Sequence, residues 1–582
     1  MSKFFEELKR RNVIKSAIAY LVVAWVLLQV FTVLLPILEA PDWILKGLTL
    51  LLAIGLPIWI IVSWVYDITP QGIEKTTENS ENEVVRHVTN KRLNAFIISG
   101  LSIAVVVMGL KISNVFEPNT DGKYSIAVMP FENVSNDAEQ EYFSDGISEE
   151  IINMLAQVPG LKVMARTSSF SFKGKNQDAK SIGEQLEVSH ILEGSVRRSG
   201  NKLRITAQLI NILDGSQMFS VQFDRELEDV FDIQDEISAN ILESIKIKLL
   251  GDKKEAVFKN YTDNIEAYQL YLQGRYHVNK FTPDGFIKAI EYFDAAIALE
   301  PDYAIAYAGL TFCYTNLLDF NWLASEDSLP IAIEAAEKSL QLDDKIFESH
   351  LAVGRIQLHQ EWNIKAAMAS FKKALAINPN SAETHIQLGM CLSLYGQCEE
   401  AMEHSRIAES LDPLSILNIW YLSVPILVCH DHETLLANGK KLIDLEPKFF
   451  SGHMWAGAGY FGLGQYDEAI EELKLSVQLN PGTWTLGYLG FTYGFKGDTL
   501  KAREVIERIK ATKGYERFAN NSLALVYFSI GESETALTYM DRALENHEGQ
   551  LLWTKNWIET HVPETLQNPR AIQIIERMGV IY

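Results

Sequence analysis

The chain has 582 residues, 22% of them charged, and a net charge of −23, a length that exceeds one ordinary domain and points to three or four folding units. The charge is uneven: residues 1–112 carry 11 basic and 9 acidic side chains, which leaves 41 basic and 66 acidic for the remainder, a balance of −25. So acidic a surface repels phosphate backbones and excludes nucleic acid as a partner of the C-terminal part.

Three charge-free runs open the chain, residues 17–38, 47–66 and 93–110, with 22, 20 and 18 residues. At about 1.5 Å rise per residue the first two match a hydrocarbon core about 30 Å thick, and the third reaches it with snorkelling flanks. Lys3, Lys9, Arg10, Arg11 and Lys15 precede the first run, and Lys75, Arg86, Lys91 and Arg92 lie between the second and third. Because positively charged loops stay inside, the pattern predicts a membrane anchor over residues 1–112. It would hold three transmembrane helices, with the N-terminus inside and everything after residue 110 outside. The lipid bilayer is then a partner, and the transmembrane helices offer a route to a homo-oligomer.

The texture changes near residue 124. Residues 125–131 form a short apolar run that reads as a strand. Ile147, Ile151, Ile152 and Leu155 have helical spacing within 144–157, with Ser144 or Asp145 placed to cap the helix. A strand at 161–165 and a helix at 179–186 follow. Then come a hairpin (190–198 and 202–211, joined through Ser199-Gly200-Asn201), a strand at 217–223 and an amphipathic helix over 227–250. Together they predict a compact α/β domain over residues 124–250.

The phrases SIAVMPFENVS, EYFSDGISEEII, LKVMARTSSFSFKGK and HILEGSVRRSGNKLRITAQLIN resemble the TolB amino-terminal-like (FlgO-like) domain of bacterial envelope proteins. FFEELKRRNVIKSAIAYLVVAWVLLQV and YDITPQGIEK are similar to the membrane anchor often joined to such domains. In that family the cassette of anchor, TolB-like domain and repeat array recurs beside class III adenylate cyclase, winged-helix or kinase modules. The resemblance implies an envelope sensor or adaptor domain without catalysis of its own. Residues 166–169 and 173–175 read as a solvated β–α connection rather than an anion site, since no Gly-rich phosphate loop accompanies them.

Self-similarity dominates the rest. Pro379, Pro413, Pro447 and Pro481 stand 34 residues apart, the tetratricopeptide (TPR) period. Gly354, Ala367, Phe371 and Ala374 fall at signature positions in one unit, and Gly457, Tyr460, Ala469 and Val477 in another. Small residues let two helices approach, an aromatic fills the gap, and Pro helps to end the second helix. The pattern predicts an all-α superhelix of about eight repeats over residues 264–548, with 549–582 as a C-terminal helical cap. The four cysteines, Cys313, Cys391, Cys398 and Cys429, read as buried thiols. On an unbroken helix Cys391 and Cys398 stand about 10 Å apart along the axis, so bridging them requires a turn at Gly396 and an oxidising compartment.

Repeat arrays bind with the concave face of their first helices. Aligning on the proline places Glu348, Arg355 and His359 there in one unit, and Glu383, Ile386 and Met390 in the next. These six are the candidate groove for protein or peptide partners. Gly457 to Gly462 fits G-x-G-x-x-G, but no strand precedes it and Gly457 is the repeat's own glycine. Cys429-His430-Asp431-His432 has metal-binding residue types without metal-binding spacing. No catalytic, cofactor or metal residue is expected. The chain thus reads as a non-catalytic adaptor or receptor of the bacterial inner membrane, presenting TolB-like and TPR modules to the periplasm in envelope signalling or assembly. The second reading is a sensory or regulatory subunit acting on a separate adenylate cyclase or other signalling enzyme.

Overall fold

The computed structural model describes residues 124–579 except 136, 246, 248–258, 260 and 320–324, together with a few positions between 13 and 75. The chain divides into two compact units, Met1–Thr120 and Asp121–Tyr582. In the first, β1 (Tyr66–Thr69) pairs antiparallel with β2 (Gly72–Lys75), Tyr66 opposite Lys75 and Thr69 opposite Gly72.

The runs 17–38, 47–66 and 93–110 lie largely outside the described residues. Among the described residues no helix is long and apolar enough to cross a membrane. The multi-pass inner-membrane placement, with a periplasmic C-terminal region, is corrected accordingly. The lipid and oligomer contacts that rested on it go with it. The reason lies in length and charge. The strongly apolar helix Ile416–Val428 has only 13 residues, about 20 Å, well short of a bilayer core. Ser325–Leu342 has 18 residues but carries Glu326, Asp327, Glu334, Glu337 and Lys338.

The second unit begins with a mixed sheet. Its strands are β3 (Ser125–Val128), β4 (Glu132–Asn133), β5 (Lys162–Val163), β6 (His190–Ser199), β7 (Lys202–Asn211) and β8 (Gln217–Glu226). The order is β5-β3-β6-β7-β8, with β4 also beside β6. β3 runs parallel to β5 and β6, and β6 to β8 form an antiparallel meander. Gly200, at φ 62°, makes the tight turn of the predicted hairpin. The buried residues Leu203, Ile205, Ala207 and Leu209 of β7 share one core with α1 (Glu141–Ala156) and α4 (Val230–Ser244). On the other side of the sheet α3 (Ala179–Leu186) packs with Ala127, Ile191 and Ile212, while α2 (Arg166–Phe170) sets Phe170 against the first core. α1 starts a turn before the residues predicted to cap it. A 3-10 turn at Ala138–Gln140 leads into it, so Ser144 and Asp145 are buried inside the helix, where Asp145 takes Lys173 as its partner at 2.5 Å.

Eight helix pairs follow among the described residues. They are α5 (Ile265–Val278) with α6 (Pro283–Leu299), α7 (Ala304–Asp319) with α8 (Ser325–Leu342), α9 (Phe347–Arg355) with α10 (Ile364–Ile377), and α11 (Ala382–Leu394) with α12 (Cys398–Leu411). Then come α13 (Ile416–Val428) with α14 (His432–Leu445), α15 (Phe450–Gly462) with α16 (Tyr466–Leu479), α17 (Thr483–Phe495) with α18 (Thr499–Lys510), and α19 (Asn520–Ser529) with α20 (Ser533–Glu545). This is a TPR superhelix. Its signature works sterically: a side chain at Gly354 would collide with the buried ring of Phe371, and Ala367 and Ala374 pack on either side of that ring's turn. Two further helices, α21 (Leu551–His561) and α22 (Pro569–Arg577), follow among the described residues.

Two of the four cysteines depart from the free-thiol expectation. Gly396 does turn the chain, at φ 71°, yet Cys398 bridges Cys429 rather than Cys391, with Cα atoms 5.5 Å apart. Cys313 and Cys391 are buried free thiols.

Candidate functional site

Two surfaces of the array are covered, and the chain itself supplies both covers. The first is the inner face. α21 touches α11 and α13, and its side chains reach α15, α17 and α19, which are the first helices of successive pairs. The Trp557 ring meets Phe491 at 5.7 Å and Phe495 at 5.8 Å, and His561 meets Phe461 at 5.2 Å. Thr554 Oγ1 donates to Asn521 Oδ1 at 2.7 Å. α21 therefore lies where a partner of the array is expected.

This contact is apolar and incompletely satisfied. A cavity of about 40 Å³ remains beside α21, lined by Leu427, Phe461, Tyr488, Trp553 and Trp557 with His430, His432 and His561. Burial pushes His430 and His432 below the usual imidazole value. It pushes His561 down to about 4, with repulsion from His430 and His432 adding to the effect. The three rings are thus neutral at pH 7. The indole N–H groups of Trp553 and Trp557 are buried without acceptors, as are those of Trp420 and Trp455 on the groove wall. Trp420 and Trp455 each stand edge-on to Trp484, at 5.9 Å, so an aromatic ladder continues along the first helices.

The six predicted groove residues separate. Arg355 is only 2% exposed. Its Nη1 donates to Glu383 Oε1 at 2.8 Å, its Nη2 donates to Asn316 Oδ1 at 3.2 Å, and its guanidinium lies 5.8 Å from the Phe312 ring centre. His359 Nε2 faces Gln387 Oε1 at 3.2 Å. Arg355 at the end of α9 and His359 in the π-helical turn Ile356–Gln360 that continues it thus both face α11, which carries Glu383. Ile386 and Met390, each 1% exposed, turn into the repeat core. Glu348 is elsewhere, lining a second cavity with Glu150 of the α/β domain.

The second covered surface is the junction between the α/β domain and the array, and here the contacts are polar. Glu149 on α1 accepts from Arg275 Nε at 2.8 Å and Asn279 Nδ2 at 2.9 Å, and forms an ion pair with Arg166 at 3.0 Å. Burial alone would raise its carboxyl, but Arg275 and Arg166 outweigh it and hold the group below the usual glutamate value. Asn380, in the turn after Pro379, accepts from Val163 N at 3.1 Å and donates to Ala156 O at 2.8 Å and Leu161 O at 2.9 Å. One repeat later Asp412 accepts from Ser168 N at 3.0 Å and Ser168 Oγ at 2.6 Å, while Ala165 N donates to Leu411 O at 2.8 Å. The 166–169 segment is therefore no solvated connection. It is the α/β domain's docking edge, with Ser168 and Ser169 fully buried.

Sequence reasoning missed Asn380 and Asp412, whose only mark is their place beside the periodic prolines, and took Ser168 as part of a solvated connection. It also read α21 as an ordinary cap. The signal that could have found it is Trp553, Trp557 and His561 at i, i+4 and i+8, a one-sided aromatic stripe on a helix that no further repeat covers.

The fold and these surfaces define a TPR protein-interaction module carrying a docked α/β domain. Comparison with known proteins agrees. Residues 455–483 match the tetratricopeptide repeat family, and residues 122–240 match the HilA/YgeH-like transcriptional regulator, second domain. The α/β region thus matches a HilA-like domain where the sequence phrases suggested a TolB-like one. A Rhizobium meliloti (strain 1021) protein named "Putative adenylate cyclase 3" is 37% identical over 236 residues, 40% of each chain. Transcriptional regulator HilA of Salmonella typhimurium is 23% identical over 295 residues, 50% of this chain and 51% of that one. The chain thus spans about half or less of the length of these curated relatives. A tetratricopeptide repeat protein from Parabacteroides merdae, solved as a crystal structure, aligns over 45% of this chain and 99% of its own at 14% identity, with a TM-score of 0.34.

Proposed function

We propose that the chain is a non-catalytic signalling adaptor whose TPR groove recognises an amphipathic helix with aromatic anchors. The observation that carries this reading is α21 itself, seated along the first helices through Trp557 and His561. A groove that accepts its own helix in this way is chemically suited to a similar helix from a partner. Of the six candidates, Glu383 and His359 form the partly exposed rim, Arg355 orients Glu383, and Ile386 and Met390 hold α11 rigid from beneath. Glu348 supports the junction rather than the groove. The names of two curated relatives, an adenylate cyclase and a transcriptional regulator, support a role in signalling, and the acidity of residues 113–582 argues against nucleic acid as the partner.

The test is competition with α21. A fluorescent peptide of residues 550–562 is titrated into the full chain carrying Trp553→Ala and Trp557→Ala, and into the unaltered chain. The altered chain should bind at least about tenfold more tightly, because its groove is no longer self-occupied. Equal affinity for both chains, or no binding to either, would refute the reading.

A second reading is favoured by the cyclase-named relative: regulation of a separate adenylate cyclase. Recovery of cyclic-AMP-forming activity with the affinity-purified chain would select it over a general adaptor.

A further inference from the structure

Behind the Glu149–Arg275 pair lies a cavity of about 50 Å³ that neither the groove nor the docking contacts use. Its walls come from α1, α4, α5, the start of α7 and the first turn of α9. Two carboxylates point to it from opposite sides of the junction, Glu150 on α1 and Glu348 on α9. Neither forms an ion pair among the described residues; Arg275, whose charge reaches both, is committed to Glu149. The remaining wall mixes the rings of Tyr261, Tyr268, Tyr271 and Tyr303, the Tyr271 and Tyr303 rings 5.7 Å apart, with the side chains of Lys259 and Lys345. Lys259 pairs with Asp343 at 2.7 Å, and neither lysine pairs with Glu150 or Glu348 among the described residues.

Two polar atoms here lack partners. Glu150 Oε1 is buried with no donor, and the hydroxyl of Tyr271, a residue 1% exposed, is buried with neither donor nor acceptor. Leaving such atoms unpaired is costly, the more so for a charged group. Tyr268 shows the contrast in the same wall, its hydroxyl accepting from Gln234 Nε2 at 2.8 Å. A ligand that pairs both atoms must donate hydrogen bonds, and between two carboxylates and ring faces a cationic donor fits best. Among the described residues no group of three or more ligating side chains is placed to hold a metal ion, so an organic cation fits better than a divalent metal.

We propose that this cavity binds the protonated amino group of a small primary amine, bridging Glu150 of the α/β domain and Glu348 of the array. The N–H groups of the ammonium reach Glu150 Oε1, the Tyr271 hydroxyl and the Glu348 carboxylate. Bridging ties the two domains together, so the amine stabilises their docked arrangement. Burial, reinforced for Glu150 by Glu149, pushes both carboxyls up to about 7 against the opposing effect of Arg275. An amine that needs them ionised therefore binds more tightly at pH 8 than at pH 6.

The experiment is thermal melting of the full chain at pH 8 with methylammonium chloride, against equal concentrations of sodium chloride and tetramethylammonium chloride. Methylammonium should raise the melting temperature by about 2 °C more than either control, with saturation. Tetramethylammonium has the charge but no N–H donors. Glu150→Gln with Glu348→Gln should abolish the increment. Tyr271→Phe keeps the ring and removes only the hydroxyl, so it tests the site even if the double variant fails to fold. It should weaken methylammonium binding about tenfold by calorimetry. The proposal is overturned by an equal rise in sodium or tetramethylammonium, by no rise at all, by an unchanged increment in the folded double variant, or by unchanged affinity in Tyr271→Phe.

Discussion

The two covered surfaces of the array are built on opposite principles. At the junction, Glu149, Asn380 and Asp412 each engage several directional partners, and Asn380 alone satisfies three backbone groups of the α/β domain. In the groove, α21 is held mainly by ring packing, with two of its indole N–H groups and the Nδ1 of the nearby His432 buried without partners. Directional, satisfied contacts specify one arrangement, and breaking any of them strands a buried partner. Apolar contact with unsatisfied polar groups specifies less and is exchanged at lower cost. The junction behaves as part of the fold, whereas the groove behaves as a binding site that is presently filled.

The sharpest way to break that contrast is at Glu149. Glu149→Ala leaves Arg275 and Arg166 facing one another without their shared anion. The expected loss is about 3 kcal/mol, the low end for a severed buried ion pair, because Arg275 keeps some exposure. Urea unfolding followed by near-ultraviolet circular dichroism reads it directly, and a loss below about 1 kcal/mol would place the junction in the same class as the groove. Asn380→Ala comes next. It removes one acceptor and two donors from the α/β domain's backbone, an expected cost of about 1–3 kcal/mol. Hydrogen exchange should lose protection at Val163 while α21 keeps its own. Loss at both places would mean that the two surfaces form one cooperative unit.

The fold was legible where period and chemistry act locally. The 34-residue proline spacing, the glycine and aromatic positions around Phe371, and the hairpin through Gly200 are all short-range signals. The structure carries them as a TPR superhelix and a small sheet domain. The membrane placement rested on hydropathy, on the placing of basic residues and on a resemblance, and found no helix to support it among the described residues. The site was less legible because its residues act across long separations. Asn380 meets Val163 from 217 positions away, and Ser168 meets Asp412 from 244. A turn residue after a helix looks the same in sequence whether solvent or another domain accepts its hydrogen bonds. Aligning on the proline found a face of α9 and α11, but not which residues neighbouring helices would bury: Ile386 and Met390 have the right period and serve packing. The Cys398–Cys429 bridge was hidden for the same reason, since it joins a helix start to the end of the next first helix.

Acidification separates the two surfaces most delicately, because their titrating groups have shifts of opposite sign. In the groove, the folded-state values of His430, His432 and His561 are depressed, that of His561 to about 4, so their contribution is present above an unfolded value near 6.5 and is lost as pH falls. Glu559 beside His430 and Asp431 beside His432 act the other way, but desolvation is the larger effect at both rings. At the junction Glu150 and Glu348 are raised to about 7 and Asp412 to about 6 by burial. Raised carboxyls stabilise the fold most below their unfolded values and lose that stabilisation as pH rises through the folded ones. Glu149, held below its usual value, stays ionised through mild acid and keeps its pairs. Lowering the pH from 7.5 to 5.5 should therefore loosen α21 while leaving the junction as firm or firmer. Hydrogen exchange corrected for its intrinsic pH dependence would show faster opening at residues 551–561 and equal or slower opening at 144–157 and 265–279. If both regions loosened together, burial of the histidines would not be what distinguishes the groove, and α21 would have to be counted as part of the fixed fold.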